Sequence, residues 1–263
     1  MFKIVTPISH LFFDSKNAKK IYQNSDYLEM RERTINLNFK NEKFFHCDHD
    51  LTLPWSQKFK KELFKIILKK KKLKYISFQS TRCCIDQKIV NDFFILSGKK
   101  LIRSELLNNA KKNVFWFREK FGFKFLIGLE NNNYYPSEAY DIITNPDFVT
   151  DVVRDNKLFF LFDIAHAKIT ASNRKINYQD YLKGLPMNQM LQIHICKPKL
   201  NNKLSLDTHD LPDKSLLEEI VDLSKKHKKL KFFTFEYYKD TRKLIETIIM
   251  FKKIIRNNNK KSY

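Results

Sequence analysis

Leu158-Phe159-Phe160-Leu161-Phe162-Asp163 decides the fold: it is an apolar run of strand length that stops on a carboxylate. It falls well short of the roughly 18 uninterrupted apolar residues a membrane helix needs. Working outward, seven further β-rich runs are spaced along the chain: Ile4 to Ser9, Tyr27 to Arg31, Lys43 to Asp48, Lys74 to Gln79, Lys124 to Glu130, Leu191 to Ile195 and Lys231 to Glu236. Helical periodicity fills most of the gaps, over Ser15 to Gln23, Ser56 to Lys71, Ser104 to Phe121, Asp147 to Asp155, Tyr178 to Gly184, Lys214 to Lys226 and Thr241 to Arg256. In the third of these, Leu106, Leu107, Ala110, Val114, Phe117 and Phe121 recur at the three- and four-residue spacing of one buried helical face. Alternating strands and helices predict an α/β protein with a parallel sheet, and eight strands are the number that closes a barrel. The expectation is a single (β/α)8 TIM barrel over 1–263, with the barrel in 1–256 and a short basic tail in 257–263. It is irregular near the second and third strands, where Thr34 to Phe39 reads as extended rather than helical.

The chain carries 50 Lys and Arg against 29 Asp and Glu, a net charge of +21. Such an excess invites a nucleic-acid reading, but the lysines are spread along the whole chain, and the densest run, Lys69 to Lys72, ends the solvent side of a helix. An AT-rich coding sequence produces the same richness in Lys, Asn, Ile and Phe, so nucleic acid is not expected as a partner. The start of the chain lacks the longer apolar core and small-residue cleavage site of a signal peptide, so a cytoplasmic protein without a membrane is expected. Cys47, Cys83, Cys84 and Cys196 show no zinc-ligand spacing and are expected to be reduced and mostly packed.

Successive residues of a strand face opposite ways. This parity turns Gly128 and Glu130, Leu161 and Asp163, Gln192 and His194, Thr234 and Glu236, and Ser77 and Gln79 toward the barrel axis. It does the same for Tyr27 and Glu29, and for Phe44, His46 and Asp48. Polar groups thus converge where the strands end, the face on which barrels of this kind carry their chemistry. The convergent set is Glu29, His46, Asp48, Glu130, Asn131, Asp163, His166, His194, Asp207, His209 and Glu236, with His166 expected in a loop. Arg and Lys are scarce at matching strand ends, so bound cations are the natural compensation for so many buried acids. Imidazoles, carboxylates and an amide suit iron, manganese or zinc.

Five segments then point to a family. Gly128-Leu129-Glu130-Asn131-Asn132, Asp163-Ile164-Ala165-His166-Ala167, Leu185-Pro186 followed by Gln192-Ile193-His194-Ile195, Asp207-Thr208-His209 and Phe235-Glu236-Tyr237 resemble, in order and spacing, the motifs of the multinuclear non-heme iron-dependent oxidative enzymes. These belong among the xylose-isomerase-like TIM barrels. The resemblance implies two or three irons at the barrel mouth and dioxygen-dependent modification of a residue, often cysteine, in a ribosomally made precursor peptide. It also implies a partner protein that recognises the peptide's leader. It makes His46, Glu130, Asn131, Asp163, His166, His194, Asp207, His209 and Glu236 the metal-binding residues, with Glu130, Asp163, His166, His194 and Glu236 carrying the catalysis. Gln79 stands where many members have His, and Cys196-Lys197-Pro198 replaces the usual Gly/His-containing stretch.

Other readings of the same residues are a divalent-metal sugar isomerase or epimerase using Glu130 and Glu236 for proton transfer, and a zinc endonuclease-like phosphodiesterase with Lys and Arg gathered at the mouth. A binding protein that has lost its metals is a further one, for which Gln79 is the best argument.

Overall fold

A computed structural model describes residues 2–260. Eight parallel strands close a barrel: β1 (Lys3–Pro7), β2 (Tyr27–Arg31), β3 (Glu42–Asp50), β4 (Tyr75–Gln79), β7 (Leu126–Glu130), β8 (Phe159–Asp163), β9 (Met190–Ile195) and β12 (Phe232–Phe235). Each pairs with its neighbours in chain order, and β12 pairs with β1 to shut the cylinder. Two small hairpins stand outside it, β5 (Ile89–Val90) with β6 (Phe93–Phe94), and β10 (Lys197–Lys199) with β11 (Leu206–Asp210).

The helices are α1 (Ser15–Asn24), α2 (Gln57–Lys69), α3 (Arg103–Phe121), α4 (Pro146–Asp155), α5 (Ile164–Arg174), α6 (Tyr178–Gly184), α7 (Lys214–Lys226) and α8 (Thr241–Lys260). Most start on an ordinary cap: Asp14, Ser56, Asp163, Asn177 and Asp213 each accept a backbone N–H of the first turn. Between β2 and β3 only a 3-10 turn, Glu32–Thr34, is helical, so this crossover is irregular as expected, but no strand forms over 34–39. The tail expected over 257–263 is helical as far as Lys260, and residues 261–263 lie outside the described ones. No helix among the described residues is long and apolar enough to cross a membrane.

Two apolar layers fix the frame. The larger lies between strands and helices, where outward residues such as Phe45, Phe78, Leu129, Phe160, Phe162, Ile193 and Phe233 are buried. The smaller plugs the lower barrel with Val5, Phe44, Tyr75 and Leu191, and Phe232 packs edge-on against Phe44 at 4.7 Å between ring centres. A β-carbon on Gly128 would collide with the Tyr75 hydroxyl, so glycine is what lets that ring cross the interior. With the floor filled by rings, the inward polar residues occupy only the upper barrel.

Candidate metal centre

The first polar layer above the floor is a hydrogen-bonded shelf. Gln192 Nε2 donates to Glu29 Oε2 at 2.6 Å and to Thr234 Oγ1 at 2.7 Å. On it stand His194 and His46, both buried, with ring centres 5.3 Å apart. Glu130 lies between them, Oε1 2.8 Å from His194 Nδ1 and Oε2 3.4 Å from His46 Nε2. Glu236 Oε1 is 3.5 Å from the same His194 nitrogen.

A second group forms around the start of α5. Asp163 ends β8 and caps α5 by accepting the His166 N–H at 2.8 Å, so His166 belongs to the first turn of a helix and not to a loop. The expectation fails because Asp163 is both the last strand residue and a helix cap, and no turn residue separates the two elements. His166 Nδ1 faces the Asn131 carbonyl at 2.8 Å, which leaves Nε2 pointing to Asp207 Oδ2 at 3.3 Å and Asp163 Oδ2 at 3.8 Å. Fixing one imidazole nitrogen by a carbonyl is how metal-binding histidines are oriented. The Asn131 amide grips the Asp163 peptide on both sides, accepting its N–H at 2.8 Å and donating to its carbonyl at 3.0 Å. In this arrangement Asn131 positions Asp163.

A third group comes from the β10–β11 hairpin. His209 takes a left-handed backbone, φ 46°, and its Nε2 is 3.5 Å from Asp207 Oδ2 and 3.7 Å from Glu236 Oε2. Cys196 Sγ sits 3.7 Å from Asp207 Oδ1, so a thiol reaches the mouth, although the cysteines were expected to be mostly packed. Cys196 follows Gln192 and His194 at the two-residue spacing of one strand face, just beyond the end of β9 at Ile195. All four cysteines are buried and unpaired.

Sequence reasoning missed Arg31. Its guanidinium lies in the mouth, 2.8 Å from Glu29 Oε1 and ion-paired with Glu236. The shortage of cations at the strand ends is therefore partly made good by the protein itself. Its position two residues after Glu29 put it on the same strand face, which was the available signal. Asp92 and Phe94, from the other hairpin, were also missed and line the cavity. Asn91 and Asp92 both have positive φ, 50° and 67°, the mark of a tight hairpin turn written in the Val90-Asn91-Asp92-Phe93 segment.

Electrostatics describe a site short of positive charge. Burial pushes the Asp163 carboxyl up and Glu130, Glu236 and Asp207 push it further, against His166, to about 7. Burial opposes protonation of His194, but Glu236, Glu29 and Glu130 together hold it well above the ordinary imidazole range. Burial likewise works against the charge on Glu29, and Arg31 with His194 more than offsets it, to about 2. His46 is lowered by burial and then by Arg31. Asp163 Oδ2 is buried without a hydrogen-bond partner. Acids that repel one another, an orphaned carboxylate oxygen and imidazoles with one nitrogen already fixed fit bound cations.

Ligand atoms of Glu130, Asp163 and His166 lie within 4.8 Å of one another, as do those of Cys196, His209 and Glu236, and of Glu29, His194 and Glu236. His46 joins none of these sets, and Ser77 Oγ at 2.9 Å and Gln79 Nε2 at 2.9 Å engage its two ring nitrogens. A further set, Glu32, Cys47 and His49, lies away from the mouth, with the His49 ring stacked on Phe59 of α2 at 3.6 Å.

The mouth opens into a cavity of about 640 Å³. Asp48, Asp92, Glu130, Asp207 and Glu236 line it against Arg31, Arg33 and Arg82. Arg82 is paired with Asp50 at 2.8 Å. Acids thus outnumber bases where a phosphodiesterase would gather its positive charge.

Comparison with solved structures shows the same fold across essentially the whole chain. A D-tagatose 3-epimerase-like protein superposes with a TM-score of 0.65 at 15% identity, covering 99% of this chain and 100% of that one. The Escherichia coli 3-keto-D-glucoside 4-epimerase YcjR gives 0.61 at 12% identity, covering 96% and 100%. Among curated proteins, a UPF0276 protein of Caulobacter vibrioides is 31% identical over 84 residues, 32% of this chain and 30% of the relative. A UPF0276 protein of Rhizorhabdus wittichii is 29% identical over 109 residues, 41% of this chain and 38% of the relative. The chain thus spans about a third of the length of the curated relatives it matches. Residues 101–233, half of the chain, match the family described as RiPP precursor modification enzyme MbnB/TglH/ChrH. RiPP denotes a ribosomally made, post-translationally modified peptide, and the matched segment contains Glu130, Asn131, Asp163, His166, His194, Asp207 and His209. On that match the chain belongs to the MbnB/TglH/ChrH family of RiPP precursor modification enzymes.

Proposed function

We propose that the barrel mouth holds a multinuclear non-heme iron centre and that the protein uses dioxygen to modify a residue, cysteine foremost, of a ribosomally made precursor peptide. The observation that carries this reading is the convergence of several carboxylate-and-imidazole sets on one mouth of a chain that belongs to a peptide-modifying family. Iron bound there would supply one-electron chemistry with dioxygen and affinity for a substrate thiolate. Glu130, its oxygens set between His46 and His194, would serve the ion held by Asp163 and His166. Asp163, His166 and Asp207 would hold one ion, with Asn131 locking Asp163 and the Asn131 carbonyl fixing the imidazole. Glu236 and His209 would hold another.

Tyr135, Tyr140, Phe94 and Tyr238 wall the cavity and would pack a peptide segment while shielding the centre from water. Tyr238 donates its hydroxyl to Glu236 Oε1 at 3.1 Å, keeping that carboxylate turned into the mouth. A leader-binding partner protein would present the peptide. The rival reading as an epimerase needs Glu130 and Glu236 facing a sugar carbon, but both turn on His194 and Glu236 is also tied to Arg31.

The test is incubation of the iron-loaded protein with candidate cysteine-containing precursor peptides, followed by mass spectrometry. A mass change that requires both iron and dioxygen is expected. Turnover that proceeds equally well without dioxygen, or sugar epimerisation supported by manganese under argon, would overturn the reading.

A further inference from the structure

We infer that Arg31 is a resident cation of the centre, occupying the place of one metal ion, so that this chain holds two ions and not three. The inference rests on the metal-centre reading above and sharpens it for this chain's own residues.

Of the three ligand sets in the mouth, one consists of Glu29, His194 and Glu236. Arg31 closes on both of its carboxylates, 2.8 Å from Glu29 and in an ion pair with Glu236. A metal ion in that set would lie beside the guanidinium on the same two carboxylates, and two cations so close repel and compete for them. Arginine suits the role because it stays charged at any working pH and its planar fork can bridge two carboxylates.

The neighbouring strands depart from a full ligand set in the same direction. On β4, the Gln79 amide donates to His46 Nε2 at 2.9 Å, and the Ser77 hydroxyl holds the other ring nitrogen. The β2–β3–β4 side of the mouth is thus furnished with a guanidinium, an amide and an occupied imidazole. The opposite side keeps its open ligands: Glu130, Asp163 and His166 form one set, and Cys196, His209 and Glu236 the other. Asp207 Oδ2 reaches both, 3.3 Å from His166 and 3.5 Å from His209, so it can bridge two ions on that side.

Charge is compatible with that number. The mouth contains five carboxylates, of Glu29, Glu130, Asp163, Asp207 and Glu236, with side chains at most 11% exposed. With Arg31, and with Cys196 bound to an ion as a thiolate, they sum to five negative charges, which two divalent ions bring close to neutral.

The test titrates metal-free wild type, Arg31→Lys and Arg31→Met with Zn(II) and counts ions per chain by equilibrium dialysis and elemental analysis. The expected counts are two for wild type and Arg31→Lys, which keeps the charge, and three for Arg31→Met, which keeps the stem and removes it. Three ions in wild type, or an unchanged count and affinity in Arg31→Met, would overturn the inference. Should Arg31→Met fail to fold, Glu29→Gln decides: the count stays at two if Glu29 serves Arg31, and a fall to one contradicts it. Zinc has no redox chemistry, so the outcome is independent of the oxygen reaction. Two zinc sites in a protein without dioxygen-dependent turnover would leave this inference standing and sink the oxidase reading, and three irons in an active oxidase would do the reverse.

Discussion

Asp163 performs two tasks with its two oxygens. Oδ1 caps α5 through the His166 N–H, and Oδ2 points into the mouth with no hydrogen-bond partner. Substitutions separate the tasks. Asp163→Asn keeps a good capping side chain and removes one repelling acid, so metal-free protein should melt no lower than wild type while retaining less metal after dialysis. Asp163→Ala should lose the metal and the cap together, melting about 2–4 °C lower for a loss of about 1 kcal/mol. Differential scanning calorimetry of both variants, with and without metal, checks this, and equal melting of the two metal-free variants would contradict the capping role. Reading the sequence for ligand types found Asp163 and its companions because carboxylates and imidazoles at strand ends carry a plain chemical signal. Arg31 carried the same parity signal as Glu29, but a guanidinium is not a metal ligand, so a search for ligands passed over the residue that competes with them.

Among the elements, β4 and β7 meet where Tyr75 crosses the barrel over Gly128. The Tyr75 hydroxyl is buried and has no hydrogen-bond partner, so the ring earns its place by packing alone. Tyr75→Phe should therefore be neutral or slightly stabilising, because it removes an unsatisfied polar group. Gly128→Ala should destabilise by about 1–3 kcal/mol through overpacking, and adding Tyr75→Phe to it should restore part of that loss, since the ring carbon behind the hydroxyl still crowds the new methyl. Urea titration of the two singles and the double measures the coupling, and additive effects would contradict the contact.

All eight barrel strands were legible because each couples a β-rich run to a flanking helix. What escaped has physical causes. Helix α5 follows β8 without a single turn residue, since Asp163 both ends one element and caps the other. The β5–β6 and β10–β11 hairpins are two to five residues per strand, too short to show alternation. In β9 the register shifts against β8, with Phe160 opposite Met190 and Leu161 opposite Gln192. Leu191 therefore joins the floor while Gln192 and His194 stay inward, and strict alternation breaks between Leu191 and Gln192.

For the whole molecule, the barrel was written in the count and order of its elements, and much of the acid- and imidazole-rich mouth in the parity of strand ends. The large positive charge turned out to say little about either. Buried acids set the character of the mouth, while most lysines lie on outer surfaces, and the charge closest to the chemistry is a single arginine that the reading of the sequence passed over. The architecture is shared with sugar epimerases at identities too low to carry a function, so the distinguishing feature is the ligand arrangement at the strand ends.

That arrangement is tested most directly by metal analysis with Mössbauer spectroscopy on protein produced with ample iron and purified without oxygen. Two irons per chain, with spectra of ions in oxygen and nitrogen coordination, are predicted. Less than one iron per chain, or full occupancy by zinc despite the iron supply, would contradict the account.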